Sequence, residues 1–312
     1  MAITVGIAGI TGKFARRVVH HLLQKPDVNI RGYARDPSKL SAALRNSSRI
    51  QVTPGEADDA PALRSFVQGS DVVLCAYLGN DKLMIDGQKA LIDACETENV
   101  PRYIASDYSL DYRKLELGQL PSKDPMKKIE TYLQEKKNVQ GVHVLIGIFM
   151  DTFWSQFFQV WNDKEVKLSY WGTGDEKWES TSYDNAAQFV AQIALDKSAV
   201  GFHNFIGDKK TTKEIAAIFE SVYGKKPQLQ SLGTLDELKS KMYQMAKEDP
   251  SAFMNYIPLF YQYYCTNGQT YLEDSNGNTR YPDIKAVTFE DYLRTHKMEE
   301  LSTAAWAVGS DV

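Results

Sequence analysis

Gly9, Gly12 and Ala15 stand at the spacing G-x-x-G-x-x-[GA] within Ala8-Gly9-Ile10-Thr11-Gly12-Lys13-Phe14-Ala15. Small residues at this spacing handle anions by leaving room for them. The first glycine permits a tight turn, the second lets backbone N–H groups approach a pyrophosphate, and the third small residue lets a helix pack closely on a strand. The loop follows the apolar run Ile3–Ala8 and opens an amphipathic stretch, so it aims the positive end of a helix dipole at the phosphates. Thr11, Lys13 and Phe14 lie in the same loop and are expected to line a bound dinucleotide. An accidental glycine turn is the alternative, and the placement between strand and helix argues against it.

The next signal is the end of the second β-branched run, Gly32-Tyr33-Ala34-Arg35-Asp36-Pro37-Ser38-Lys39. An acidic residue here would bond a ribose 2′-hydroxyl, whereas an arginine accommodates a 2′-phosphate. Asp36 before Pro37 suits a helix N-cap with proline in the first turn. That leaves Arg35, with Lys39 one turn on, for the phosphate, and the expected cofactor is NADP(H). A solvated surface arginine is the competing explanation. Ala57, after the third strand, and Ala76, Tyr77 and Leu78, at the end of the fourth, are expected to flank the cofactor. Tyr77 and Leu78 serve equally well as packing residues.

Groups able to move a proton cluster after the fifth strand, where Ser106, Asp107 and Tyr108 lead into a loop containing Tyr112. Tyr108 or Asp107 could supply a proton or orient a carbonyl. Met150, Asp151, Phe153 and Trp154, after the sixth strand, are expected at the same mouth, although core packing is the commoner fate of aromatics. Tyr132 and Lys136 share the Tyr-x-x-x-Lys spacing that places a cation beside a tyrosine on one helical face. They come late in their helix, and an exposed amphipathic pair is the simpler account. None of the five histidines falls on a strand-end loop of this crevice, and His20 and His21 are assigned no chemistry. The aromatic and methionine density from Met242 to Tyr271 suits either a lid over an apolar ligand or a core, and the lid is slightly favoured.

Strand and helix must alternate to hold these residues, and the pattern supplies this. Expected strands are Ile3–Ala8, Val28–Ala34, Ile50–Val52, Asp71–Ala76, Arg102–Ser106 and Val142–Phe149. Expected helices between them are about Gly12–Gln24, Pro37–Leu44, Ala60–Gln68, Lys82–Glu98 and Pro125–Lys137. This rhythm implies an α/β fold, a Rossmann-type doubly wound parallel sheet over residues 1–150. Residues 151–312 read as a smaller, mostly helical substrate-binding or lid region. There, Asp151–Val160, Asn185–Leu195, Thr212–Tyr223 and 234–265 look helical, while Val166–Trp171, Gly201–Ile206 and Pro227–Leu232 look extended. At 312 residues with 43% hydrophobic and 24% charged content, the chain can bury a large core without metals or disulfides. A net charge of −4 does not suit a nucleic-acid binder. Three scattered cysteines show no metal-ligand spacing, no apolar run suffices for a membrane span, and no signal-peptide pattern opens the chain. The expectation is a cytoplasmic monomer or homodimer that binds a small molecule.

Together, Gly9–Ala15, Arg35–Lys39, Pro54-Gly55-Glu56-Ala57-Asp58-Asp59 and Val100–Tyr108 resemble the NmrA-like and isoflavone-reductase-like group of atypical short-chain dehydrogenase/reductases. The resemblance is specific to about residue 150 and looser in Trp171–Asp175 and Ser182–Ala187. It implies an NADPH-dependent reductase of a lipophilic aromatic or polycyclic compound, or a cofactor-dependent cyclase or isomerase of secondary metabolism. The alternative it implies is a regulator that senses NADP(H) without turnover and binds a protein partner. In the reductases a lysine on the helix after the fifth strand acts in proton transfer, and Met126 aligns with it here. Methionine cannot exchange a proton, so Met126 is expected to touch substrate only. Lys123 or Lys127 would serve only after a shift of the alignment, and Lys127 would point about 100° away.

Overall fold

The apolar and β-branched runs of the first half form strands of the protein, seen in a computed structural model that describes residues 2–273 and 276–304. These are β1 (Ile3–Ala8), β2 (Val28–Ala34), β3 (Ile50–Pro54), β4 (Val72–Cys75), β5 (Arg102–Ile104), β6 (Gln140–Leu145) and β7 (Ile148–Phe149). Then come β8 (Trp161–Asn162), β9 (Lys167–Tyr170), β10 (Lys177–Thr181), β11 (Gly201–Asn204), β12 (Asp208–Thr211) and β13 (Gln228–Ser231). The helices are α1 (Lys13–Leu23), α2 (Ala42–Arg45), α3 (Ala60–Val67), α4 (Gln88–Thr97), α5 (Asp124–Gln134), α6 (Met150–Phe153) and α7 (Tyr183–Leu195). They continue with α8 (Thr212–Tyr223), α9 (Leu235–Glu248), α10 (Phe253–Thr266), α11 (Asn276–Arg280), α12 (Phe289–Thr295) and α13 (Leu301–Ala304).

Seven strands make one parallel sheet in the order β11-β6-β5-β4-β1-β2-β3. Chain order reverses between β1 and β4, and Ala8 pairs with Cys75 there, so their carboxyl ends lie level. Such a switch point opens the crevice in which doubly wound folds bind ligands. One face is sealed by the buried stripe Ala15, Val18, Val19 and Leu22 of α1, alongside Ala186, Ala187, Val190 and Ala194 of α7. The other carries Leu63 and Phe66 of α3, Leu91 and Cys95 of α4, and Ile129 and Leu133 of α5. A third core, around Trp154, Trp161, Trp178, Phe219 and Phe260, joins α8, α9 and α10 to two small sheets, β12-β10-β7 and β13-β9-β8.

The doubly wound sheet is as expected, with several corrections. The expected sixth strand, Val142–Phe149, divides at Gly147, whose φ of +70° turns the chain so that β7 leaves the main sheet for β10. β11, from beyond residue 150, is the seventh strand, bonded to β6. α7 packs along α1, so both halves of the chain build the dinucleotide-type unit. Residues 305–312 of the expected second segment lie outside the described residues. Pro37–Leu44 is a 3-10 turn, Pro37–Lys39, followed by the single turn α2. The helix expected at Asp151–Val160 is only α6, one turn long. The helical stretch 234–265 is two helices, α9 and α10, parted around Pro250.

Candidate functional site

The loop from β1 to α1 is shaped by backbone. Gly9 has φ +77°, and a Cβ there would sit 3.0 Å from the Ala76 carbonyl oxygen; at Gly12 it would sit 3.1 Å from that of Gly9. A side chain would be strained at the positive φ of Gly9 and would crowd backbone at both positions. Gly9 N–H donates to the Tyr33 carbonyl at 2.9 Å, tying the loop to β2. The N-cap of α1 is Gly12, which brings no side chain to cap the helix, so the positive end of its dipole carries no capping side chain. Thr11 and Phe14 are half-buried beside it, and Leu78, at the end of β4, is 92% exposed. Ala57 and Ala76 are half-buried at the same edge, whereas Tyr77 is buried with its ring against Gly9.

Arg35 and Lys39 are both exposed beyond β2. Asp36 is committed as expected, its carboxylate accepting from Ser38 N at 3.0 Å and Ser38 Oγ at 2.5 Å. These bonds hold its pKa below the usual carboxylate value. Asp59, at the end of the loop after β3, caps α3 in the same way through Ala62 N at 3.1 Å. A hollow that a Cβ would close, an uncapped helix end and two exposed cations after β2 together fit a phosphorylated dinucleotide.

Beside the loop from β1 to α1 stands a partly buried aromatic cluster. Phe14 lies 4.5 Å from Tyr108 and 5.5 Å from Phe149, and Phe149 stacks on Tyr183 at 4.0 Å. Lys13 Nζ sits 4.6 Å over the Tyr183 ring. Burial draws its pKa down to about 8, Asp151 opposes this, and Arg17 and Arg16 add to it. Asp151 is itself buried, accepting from Tyr183 N at 2.8 Å, and burial raises its pKa.

The three groups proposed for proton transfer all have partners inside the protein. Ser106 Oγ donates to the Tyr77 carbonyl at 2.7 Å, and Ser106 N donates to Gln88 Oε1 at 3.2 Å. Tyr108 OH donates to the Cys75 carbonyl at 3.1 Å, and burial pushes its pKa well above that of a free tyrosine. Tyr108 has φ +37°, a left-handed conformation that a bulky aromatic rarely adopts. Asp107 Oδ2 lies 2.7 Å from His143 Nδ1 and accepts from Tyr112 OH at 3.2 Å. His143 stacks on Phe202 at 4.5 Å, and Arg113 covers that ring at 4.2 Å. Glu130 of α5 borders this cluster, its pKa raised by burial.

Met126 is buried on α5 at 7% exposure, in the same core cluster as Met150, Phe153 and Trp154, which have none. None of the last three presents a surface in this conformation. Lys123, one turn before Met126, is also buried, its Nζ 5.1 Å over the Tyr261 ring. Lys127 points away, 3.4 Å from the carbonyls of Tyr112 and Arg113. Tyr132 and Lys136 both bind Asp93, at 2.7 and 2.6 Å, on the exposed far side of α5. The expected lid is largely core: Met242, Phe260 and Tyr264 are at most 1% exposed and pack with the tryptophans.

Sequence reasoning missed His143, Phe149 and Tyr183. His143 carried one usable sign, since it alternates with Val142 and Val144 and so must face the opposite side of the sheet. Its partner Asp107 is 36 positions away, and no local pattern joins them.

A glycine cradle at the switch point of a seven-stranded parallel sheet, with a basic residue after β2, defines a dinucleotide-binding α/β protein. The chain belongs to the NmrA-like family, whose model matches residues 1–293. It is 23% identical to pinoresinol reductase 1 of Arabidopsis thaliana over 310 residues, covering 92% of this chain and 95% of that protein. Isoflavone reductase of Glycine max is likewise 23% identical, with 82% of this chain and 81% of that protein covered. The solved structure of AtPrR2 with NADP+ and (+)pinoresinol superposes with a TM-score of 0.78 at 19% identity, covering 94% of this chain and 98% of that one.

Proposed function

We propose that the chain is an NADP(H)-dependent reductase acting on a lipophilic aromatic or polycyclic small molecule. The observation that carries this reading is the cradle at Gly9 and Gly12, open to an uncapped α1. The N-terminal end of α1 would face the pyrophosphate, with Lys13 beside it, and Gly9, Thr11, Gly12 and Phe14 would line it; Arg35 and Lys39 would take the 2′-phosphate. Ala57, Ala76, Tyr77 and Leu78 would flank the rest of the cofactor. When bound, NADPH supplies a hydride. The protein's share is orientation, exclusion of water and a proton. Phe14, Tyr108, Phe149 and Tyr183 offer an aromatic face for a flat apolar substrate. Its identity as a reductase is supported by kinship with pinoresinol and isoflavone reductases, and its NADP(H) preference by the neighbour solved with NADP+.

The proton donor in this reading is Tyr108, which must release the Cys75 carbonyl as it turns to substrate. Ser106 and Asp107 hold the loop that carries it. Met126, Met150, Phe153 and Trp154 back the substrate side from residues 126–154, and the segment beyond residue 150 closes it. We take the working form to be a cytoplasmic monomer or homodimer.

A second reading, a regulator that binds NADP(H) without turnover, is favoured by Met126 standing buried where the reductases carry a lysine. Calorimetric titration with NADP+ and NADPH, followed by an NADPH-consumption screen over phenolic, quinone and alkaloid-like carbonyl or imine compounds, separates the two. Tight binding with turnover is the expected result, and Tyr108→Phe should then lower kcat with little change in cofactor affinity. Tight binding of unequal strength for the two cofactor forms, with no turnover, would establish the regulator. Failure to bind either form would end both readings.

A further inference from the structure

We propose that Lys13 takes up a proton as the cofactor's pyrophosphate docks on the α1 N-terminus, so that NADP(H) binding by this protein is coupled to pH. The inference rests on the cofactor reading above and adds a linkage which that reading does not require.

The geometry sets the linkage. Lys13 is the first residue of α1, so its ammonium stands at the positive end of the helix dipole. It lies half-buried against the Tyr183 ring. From its own helix it faces Arg16 and Arg17. From α6 it faces Asp151, a buried carboxylate already bonded to the first N–H of α7. From α7 it faces Tyr183, whose hydroxyl is pushed up by burial and does not compete for protons near neutrality. Asp184, the next residue of α7, is engaged by Arg17 at 3.6 Å and His21 at 3.1 Å. In the free protein burial, opposed by Asp151 and assisted by Arg17 and Arg16, holds the Lys13 pKa near 8. A pyrophosphate at the same helix end brings two negative charges and favours the ammonium.

Affinity should therefore be flat below about pH 8 and fall above it by up to about tenfold per pH unit, until the lysine of the complex also titrates. The 2′-phosphate cannot produce this slope, because its second ionisation has its midpoint at about pH 6 and is essentially complete by about pH 8.

The test is calorimetric titration of NADP+ into the full-length protein at pH 7 and pH 9, each in two buffers of different ionisation enthalpy. Wild type should take up close to about one proton per NADP+ at pH 9 and almost none at pH 7. Lys13→Arg keeps its charge throughout, so it should bind with no uptake and no pH slope. Lys13→Met should bind more weakly at pH 7 and show no uptake at either pH. Uptake at pH 9 that persists in Lys13→Arg would overturn the proposal, as would tight wild-type binding at pH 9 without uptake. Absence of wild-type binding at pH 7 would overturn the cofactor reading itself, and this linkage with it.

Discussion

The two sides of the crevice are built by opposite means. On the β1–β2 side, the hollow at Gly9 and Gly12 is made of backbone, and its charges, Arg35 and Lys39, stand in water. On the β5–β6 side, side chains do the work. Asp107, His143 and Tyr112 are buried and bonded to one another, and Tyr108 is held with φ +37° above them. The first side is open before anything binds. The second is closed, and Met126, Met150, Phe153 and Trp154 behind it are packed as core. A site made from backbone can lose a surface charge without unfolding, whereas one made from buried polar groups bonded to one another cannot lose a partner without penalty. Substitutions on the first side should change binding and spare stability, and those on the second should do the reverse.

The largest expected effect tests the buried side. His143→Leu leaves the Asp107 carboxylate buried with only the Tyr112 hydroxyl, which should cost on the order of 3–5 kcal/mol of stability. Urea unfolding measures it, and the protein that remains folded should still bind NADPH. A loss below about 1 kcal/mol would show that water reaches the pair and would erase the contrast. The next effect tests the open side. Arg35→Ala should weaken NADP+ binding by about 1.5–3 kcal/mol, the worth of charged hydrogen bonds, and leave NAD+ binding as it was. Its stability should change by no more than about 0.5 kcal/mol, as for other exposed substitutions. Equal weakening for both cofactors would place the 2′-phosphate elsewhere.

The same contrast explains what was legible in the sequence. The cradle could be read because glycine spacing encodes backbone conformation directly, and Asp36 because a cap and its helix are neighbours in the chain. The strands up to β5 followed from local apolar runs. The break at Gly147 did not, because apolar residues run on both sides of the one glycine that turns the chain. Likewise, β11 reads as a strand, but nothing local shows that it returns to β6. The Asp107–His143 pair was invisible for the same reason, since its members meet only after β5 and β6 are paired. Aromatic density in α10 signalled apolar surroundings but not which kind, and the tryptophans of the third core decided it.

The smallest predicted effect sets the two properties against each other in one residue. Lys13 serves binding on the open side yet has part of its chain buried, so its charge should weaken the free fold. Its folded pKa, about 8, is below the ordinary lysine value of 10.5, so across that interval the unfolded chain holds more protons and stability rises with pH. Below about pH 8 the penalty is fully present, and above 10.5 it vanishes. Lys13→Met should therefore stabilise the cofactor-free protein at pH 7, by up to about 1 kcal/mol because water screens a half-exposed ammonium. The advantage over wild type should shrink toward pH 10, while NADP+ binding at pH 7 weakens. Urea unfolding at the two pH values, without cofactor, decides the matter. A variant less stable than wild type at pH 7 would mean that the contact with Tyr183 and the attraction of Asp151 outweigh burial, and that this side of the crevice too is held together by its charges.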